Sequence, residues 1–470
     1  MSNIKENKMG TMPVNLLLIT MTLPMMASML VQALYNIVDS MFVAKISEEA
    51  LTALSLAFPV QNLMIGVATG TGVGMNALLS RSLGERDYDR VNKAAGNGIL
   101  LVLLASVLFI LFGIFGSRLF FSVQTDDAKI IEYGVQYVLI CCVGSPFLYL
   151  GITFERLMQS TGKTVLSMIT QGIGAITNII LDPIFIFKDP LKELGINLGF
   201  NTEFGLGLGV IGAALATVAG QVVATIVGFT LNQSFNKEVR ISLKSLRLHG
   251  ETVGRIYSVG IPSIIMMAIG SVMNFALNKM LISFFSTTAA AVLGAYYKIQ
   301  SFAFMPIFGM NNGVVPIIAY NYGAGKRSRI MKSIKLAVFY ATCIMLIAVA
   351  VFQIFPEQLL TMFSASEEMI KIGVPAFRII SLHYILAGFC IAIGSVFQAF
   401  GKGVLSMIVS ICRQMVVLLP AALILALIFP DNINAFWFCF ITAEVVSATV
   451  SLICFKSIHK NLISKIPDNV

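Results

Sequence analysis

Charge is what this sequence most lacks. Asp, Glu, Lys and Arg make up only 12% of its 470 residues, about half the share of an ordinary soluble domain. So few charges cannot wet the surface of a soluble protein this size, which excludes a cytosolic enzyme and a disordered chain. Histidine is scarce too. His249, His383 and His459 are scattered and no HExxH string occurs, so metal-dependent hydrolysis has no site. The seven cysteines (Cys141, Cys142, Cys343, Cys390, Cys412, Cys439, Cys454) all fall in apolar runs without CxxC spacing. They read as small packing residues, which excludes a secreted disulfide scaffold. Nucleotide motifs are missing as well. Gly162-Lys163-Thr164 has the tail of a phosphate loop, but Leu157 stands where its first glycine belongs, and no loop could house a nucleotide domain. Neither GxGD nor GxSG, the marks of intramembrane proteolysis, is present. No cofactor is expected beyond a coupling ion.

What remains is apolar. Residues of the AVILMFWYC set are 57% of the chain. A membrane helix needs about 20 mostly apolar residues to cross ~30 Å of hydrocarbon. Twelve such spans are predicted, near 14–43, 52–80, 94–121, 130–155, 164–187, 206–234, 254–285, 289–321, 331–355, 370–399, 404–429 and 433–456. The first is too long for a signal-peptide core and reads as a membrane helix. The net charge of +9 would suggest nucleic acid in a soluble protein, but here it follows the loops. Of 32 Lys and Arg, 22 fall on the side that carries both termini and 6 on the other; Lys279, Lys298, Arg378 and Arg413 lie within spans. Positive loops resist translocation, so both termini are expected in the cytoplasm of a multi-pass cell-membrane protein.

The chain also repeats itself. QSTGKTVLSM at 159–168 matches QAFGKGVLSM at 398–407 at seven of ten positions, 239 residues apart. Leu23-Pro24 with Asn36 pairs with Ile261-Pro262 and Asn274 at an offset of 238, and the Gly84 loop pairs with the Gly323 loop at 239. Each half then holds six helices, and an even number gives both halves the same orientation. The expected fold is an all-α membrane protein of two pseudo-symmetric six-helix bundles in a parallel repeat, a common ground plan for alternating-access transport. Its parts are a cytoplasmic tail (1–13), a first bundle (14–234), a linker (235–253), a second bundle (254–457) and a second tail (458–470). Gly66, Gly70 and Gly74 recur every four residues inside a span and read as a helix-packing face, not a dinucleotide loop.

Ionisable groups within lipid are costly, so each is a functional candidate. The first half has two isolated acids, Asp39 and Asp182, in the first and fifth spans. Both lie within about 10 Å of the outer boundary at 1.5 Å per residue. Tyr35 and Asn36 precede Asp39 by one turn, and Asn178 precedes Asp182 by one turn on the same face. Thr217, in the sixth span, can join them. These oxygens, with no basic partner, suit a hard cation or a proton. The alternative is that each acid only bonds to nearby backbone or hydroxyl groups. The second half carries Lys279, Lys298, Arg378, Arg413 and Glu444, and Leu277 stands where Asp39 would repeat. Lys279 is expected to reach the outer interface, and Lys298 or Arg413 to pair with Glu444. Pro24 removes a backbone donor and allows the first span to bend. The 24 Met and 34 Phe allow a soft lining for varied ligands.

These strings together resemble the multidrug and toxic compound extrusion (MATE) family, and most of all its bacterial MepA-like and DinF-like members. The marks are LPMM and YNIVDSMFVA in the first span, SRSLGERDYDR, ERLMQSTGK, NIILDPIFIF, GAALATVAGQ and AYYKIQSFAFMPIFGMNNGVVPIIAYNYGAGK. They cover about residues 14–460. The resemblance implies two bundles forming a V-shaped central cavity and export of drugs or cationic organic compounds against H+ or Na+. It carries the family's ion site onto Asp39, Asn178, Asp182 and Thr217. The sodium-driven branch also uses acids in the seventh and tenth spans, where this chain has Asn274 and Lys279 and no acid, respectively. The partners expected are small organic molecules and the lipid bilayer, with no nucleic acid, for a monomer. Two other readings stand beside this one. One is a flippase of the same superfamily for a lipid-linked saccharide, drawing on the second-half basic residues. The other is an intramembrane enzyme using Asp39 and Asp182 as an acid/base pair, against which no catalytic motif surrounds either. A major-facilitator transporter shares the plan of six plus six helices, but its GxxxDRxGRR loop is not matched at 84–90.

Overall fold

Helices begin where the chain supplies a cap and continue where apolar residues favour lipid. The computed structural model describes residues 6–195, 203–239, 241, 246–363 and 365–468. Lys5, Arg240 and Lys244, counted above as cytoplasmic, lie outside the described residues, as do the ends of both tails and part of the linker 235–253. Among the described residues, ten helices are long and apolar enough to cross a membrane, and two bent helix pairs bring the spans to twelve. We label them α1 (Val14–Ala44), α2 (Glu48–Gly84), α3 (Tyr88–Ser122), α4 (Ala128–Val143 and Ser145–Ser160), α5 (Thr164–Ile186), α6 (Val210–Phe235), α7 (Gly250–Phe284), α8 (Thr287–Gly323), α9 (Arg327–Ile354), α10 (Glu367–Ser381 and Tyr384–Ala399), α11 (Gly403–Ile428) and α12 (Ile433–Lys465).

Several helices outrun the apolar stretches that predict them. α2 and α3 start at Glu48 and Tyr88, not at 52 and 94, because the helix continues past the hydrocarbon into charged sequence. Glu48 and Glu49 suit the positive end of α2, and Asp87 caps α3 by accepting from the Arg90 N–H at 3.0 Å. Asp127, Ser286 and Ser366 cap α4, α8 and α10 in the same way. The lipid face is read from what stays exposed. Leu108, Phe115, Phe275 and Ile347 are large apolar side chains that stay mostly exposed.

The half-chain repeat is visible in the helix ends. α2, α3 and α5 start 239 residues before α8, α9 and α11, and both pieces of α4 start 239 residues before both pieces of α10. The bends agree as well, 48° in α4 and 46° in α10. The wide-turn segments do not repeat. Phe112–Gly116 in α3 and Cys412–Leu418 in α11 have π-helical turns that their counterparts lack. Such a turn re-aims the side chains it carries, here Arg413.

By internal contacts the chain forms two compact units. One comprises Met1–Met26, Ser80–Arg86 and Tyr257–Val470; the other comprises Ala27–Leu79 and Asp87–Ile256. The start of α1 and the end of α2 therefore group with the second half of the sequence. The division within α1 falls two residues after Pro24. The second unit has a core drawn from six helices, including Phe42, Val43, Ala57, Met64, Phe121, Tyr137, Cys142, Ile186 and Ala213. The first unit has an aromatic core in which Tyr296 meets Phe352, Phe377, Tyr384 and Phe440, with ring centroids 5.9–6.4 Å apart.

Candidate functional site

Helices in lipid gain little from hydrophobic burial, so they meet closely only where small residues let backbones touch. α5 and α6 do this. A Cβ on Gly220 would lie 2.8 Å from the Gly174 carbonyl oxygen and 3.2 Å from the Asn178 Cβ, and one on Gly212 would lie 2.4 Å from the Phe185 oxygen. This contact brings Asn178 and Asp182 on α5 against Thr217 on α6. Asp182 is fully buried and Asn178 nearly so. The amide orientation that satisfies Asn178 donates to Asp182 Oδ2 at 3.2 Å and accepts from the Thr217 backbone N–H at 3.2 Å. The Thr217 hydroxyl donates to the Ala213 carbonyl at 3.0 Å, which leaves its lone pairs available. Pro183 follows Asp182 inside the helix and has no N–H to donate to the preceding turn.

Asp39 completes the cluster from α1. It lies five residues before the end of α1 at Ala44, and Asp182 lies four before the end of α5 at Ile186, so their depths match. Asp39 is close enough for its charge to act on Asp182, and Tyr35 feels both. Its Oδ1 is buried with no hydrogen-bond partner among the described residues. No basic residue is among the charges acting on either acid. Tyr137 and Cys141 on α4 line the same space and feel Asp39. The Tyr137 hydroxyl accepts from Gln61 Nε2 of α2 at 2.9 Å. A buried carboxylate without a counter-charge is strongly unfavourable, so two of them together call for a cation or a proton. Among the described residues, no group of three or more His, Cys, Asp or Glu could hold a metal ion. Any sodium ion here would be held by two carboxylates and the amide and hydroxyl oxygens.

Not every residue singled out by the sequence joins this cluster. Asn36 is exposed, and its backbone carbonyl accepts from the Ser40 hydroxyl at 2.9 Å. Pro24 lies in the other compact unit, fifteen residues before Asp39. In the second half, Arg413 is the residue that meets Glu444, at 3.5 Å, with Glu444 buried. Lys298 is exposed, its ammonium 5.7 Å from the Phe363 ring centroid. Lys279 and Arg378 are also exposed. Arg156, which the loop count places in the cytoplasm, is buried in α4 and donates to Gln159 Oε1 at 3.0 Å. Gly72 makes its room, since a Cβ there would lie 2.8 Å from the Arg156 Cγ.

Sequence reasoning missed Tyr137 and Gln61. The one available signal was a tyrosine one turn before Cys141 in a charge-free run, which is too common to single out. It also missed Pro183, although the adjacent Asp182-Pro183 pair inside an apolar span was legible.

Known proteins supply the comparison. The family model MatE matches residues 24–184 and 262–424. Multidrug export protein MepA of Staphylococcus haemolyticus is 25% identical over 447 residues, 94% of this chain and 93% of that protein. The protein of the same name from Staphylococcus aureus is 25% identical over 413 residues, 87% of this chain and 86% of that one. A MATE protein crystallised in complex with MaL6 superposes with a TM-score of 0.88 at 25% identity over 99% of each chain. A MOP superfamily transporter from Pyrococcus furiosus, whose reversed binding-pocket polarity suggests a different function, superposes with a TM-score of 0.86 at 25% identity over 99% of this chain and 100% of that one.

Proposed function

This chain belongs to the MatE family, and on that premise we propose that it is a secondary active multidrug exporter, driven by H+ or Na+ entry and working by alternating access. It transports and does not catalyse. Its substrates are drug-like organic compounds, cations among them. It works as a monomer in the cell membrane with both termini in the cytoplasm.

The observation that carries this reading is the pair Asp39 and Asp182, close together in apolar surroundings with no basic neighbour. A proton or sodium ion entering from the outer side neutralises the pair. Asn178 and Thr217 hold Asp182 in place while Asp39 moves with α1. α1 bends at Pro24, where one backbone hydrogen bond is already missing. The ion's binding energy thus biases one helix geometry over another, which is all a coupling ion has to do. The flippase reading asks for a basic lining. Arg413 is engaged by Glu444, and Lys279, Lys298 and Arg378 are dispersed and exposed, so we favour the exporter.

Dye efflux in everted vesicles, with pH and sodium gradients imposed separately, tests the proposal. Asp39→Asn and Asp182→Asn are each expected to abolish gradient-driven efflux at normal expression. Wild-type rates in both variants would refute the assigned site.

A further inference from the structure

Residues 6–12, the end of α2 and residues 464–468 all converge on one turn, between α8 and α9. All belong to one compact unit. α2 and α8 end in the repeat-related glycines Gly84 and Gly323, and these lie against each other's helices. A Cβ on Gly84 would sit 2.0 Å from the Tyr320 carbonyl oxygen, and one on Gly323 would sit 2.1 Å from the Arg81 carbonyl oxygen. The crossing is backbone on backbone. The Arg81 guanidinium lies 4.6 Å from the Tyr322 ring centroid across it. Further along α8, Gly309 and Gly313 press on Met25 and Met21 of α1, with virtual Cβ distances of 2.6 and 2.9 Å to their carbonyl oxygens. Such contacts are close but small in area, and in water-facing turns they need something to hold them.

The segment Glu6–Met12 does the holding. Its short helix, Lys8–Thr11, is capped by Asn7 and buries Met9 and Gly10. Arg329 Nη2 donates to the Met9 and Met12 carbonyls at 3.0 and 2.7 Å, while its Nε donates to Asn321 Oδ1 at 3.1 Å. Asn321 Nδ2 donates to the same Met9 carbonyl at 3.0 Å. Lys326 Nζ donates to Glu6 Oε1 at 2.9 Å and to the Gly10 carbonyl at 3.1 Å, and Arg86 stands 3.9 Å from Glu6 Oε2. One carboxylate thus ties a residue of α2's end and one of the α8–α9 turn to the N-terminal segment. From the other side, Asp468 accepts from the Ser328 N–H at 2.9 Å and also from its hydroxyl.

We propose that Glu6–Met12 is a strap that closes the cytoplasmic end of α8 against α1 and α2, and that it must undock from α8 and α9 in each transport cycle. This rests on the alternating-access reading above, because only a protein that opens on this face needs a releasable clasp there. The chemistry suits release. The strap is held by charge-assisted hydrogen bonds to backbone carbonyls and by an ion pair at the water's edge, each individually modest and replaceable by water. A strap meant to be permanent would bury large apolar side chains, and this one buries a single Met. The carboxyl of Glu6 is held below the usual range, first by its hydrogen bond from Lys326 and then by Lys326, Arg86 and Arg329 as charges. It stays ionised at cytoplasmic pH, so the strap responds to the motion of α1 and not to acidity.

The test uses full-length protein in everted vesicles. Glu6→Cys with Lys326→Cys is joined by a short thiol-specific cross-linker that reductant cleaves. The cross-linked protein is expected to export dye at about a tenth or less of its reduced rate, the effect of removing one state from a two-state cycle, and reductant restores export. Separately, Met9→Cys, buried when the strap is docked, reports undocking by its rate of thiol labelling. Adding Glu6→Lys, which sets a third cation against Lys326 and Arg86, is expected to speed labelling several-fold at unchanged expression. Full-rate export by the cross-linked protein, or equal labelling with and without Glu6→Lys, overturns the strap. A wild-type protein that exports nothing under either gradient overturns the transport reading instead, so the two failures are distinguishable.

Discussion

Asp39 and Asp182 share apolar surroundings with no cation beside them among the described residues, whereas Glu444 lies 3.5 Å from Arg413. Both sites put carboxylates where water is scarce, and α5 and α11, which each carry one member of a site, are related by the half-chain repeat. The difference is the counter-charge. Glu444 already has its cation as part of the chain, so it has nothing to exchange. The acid pair has none, so its neutrality must come from outside, and whatever supplies it can also leave. On the reading proposed above, an ion-coupling site and a structural ion pair are built from the same residue type in similar settings. The presence or absence of one arginine separates them. The π-helical turns of Cys412–Leu418 bring that arginine to Glu444, and α5, the counterpart of α11, has no such segment.

The comparison can be broken most sharply at the acids. Asp39→Asn and Asp182→Asn should each remove gradient-driven dye efflux altogether, while the same exchange at Glu444 should leave the efflux of the surviving folded protein intact. Next in size is stability. Arg413→Met leaves Glu444 buried and unpaired, and should cost about 2–3 kcal/mol, less than for a wholly buried pair because the arginine side chain is 26% exposed. Thermal melting in detergent reads this, and Arg413→Met with Glu444→Leu should recover most of the loss. Asn178→Ala removes the amide that orients Asp182 and should slow coupled efflux about tenfold, equivalent to one charge-assisted hydrogen bond of about 1.4 kcal/mol. Asn36→Ala, on an exposed residue one turn from Asp39, should not change efflux. The smallest effect concerns the strap. Glu6 has a lowered pKa, so its contribution is complete above the ordinary glutamate value and fades only as pH falls through the lowered one. Labelling of Met9→Cys, divided at each pH by that of a fully exposed cysteine to remove the thiolate fraction, should therefore stay flat between about pH 6 and 8 and rise only in acid.

Much of the architecture was legible because lipid imposes a simple rule on sequence. Spans must be apolar for their full length, so the twelve segments and the 239-residue repeat could be read directly, and the helix starts of α8, α9 and α11 follow those of α2, α3 and α5. The same rule made Asp39 and Asp182 conspicuous, since a charge in an apolar run stands out. Asn178 was legible from its one-turn spacing. Tyr137 and Gln61 were not, because nothing about an uncharged polar residue in a span says which neighbour it meets. The partner of Glu444 was undecidable between Lys298 and Arg413 for a related reason, since both are long cations and only helix rotation decides between them. Arg156 was misplaced among the loop charges because it sits four residues from a helix end, close enough to count as loop by position. Its burial depends on Gly72 of another helix.

By itself the sequence determined that this chain lives in a membrane, that it crosses twelve times, that its halves are copies, and that two acids are stranded in the first copy. Those are one-dimensional facts, fixed by the cost of putting charge or unpaired backbone into hydrocarbon. Only the tertiary structure decided which stranded charge met a partner and which did not. It also decided that residues 6–12 would bind the turn after α8, more than three hundred positions away. Those outcomes depend on where glycines let helices touch and on how far each is rotated when they do. Neither leaves a trace in the order of residues along a single strand of chain.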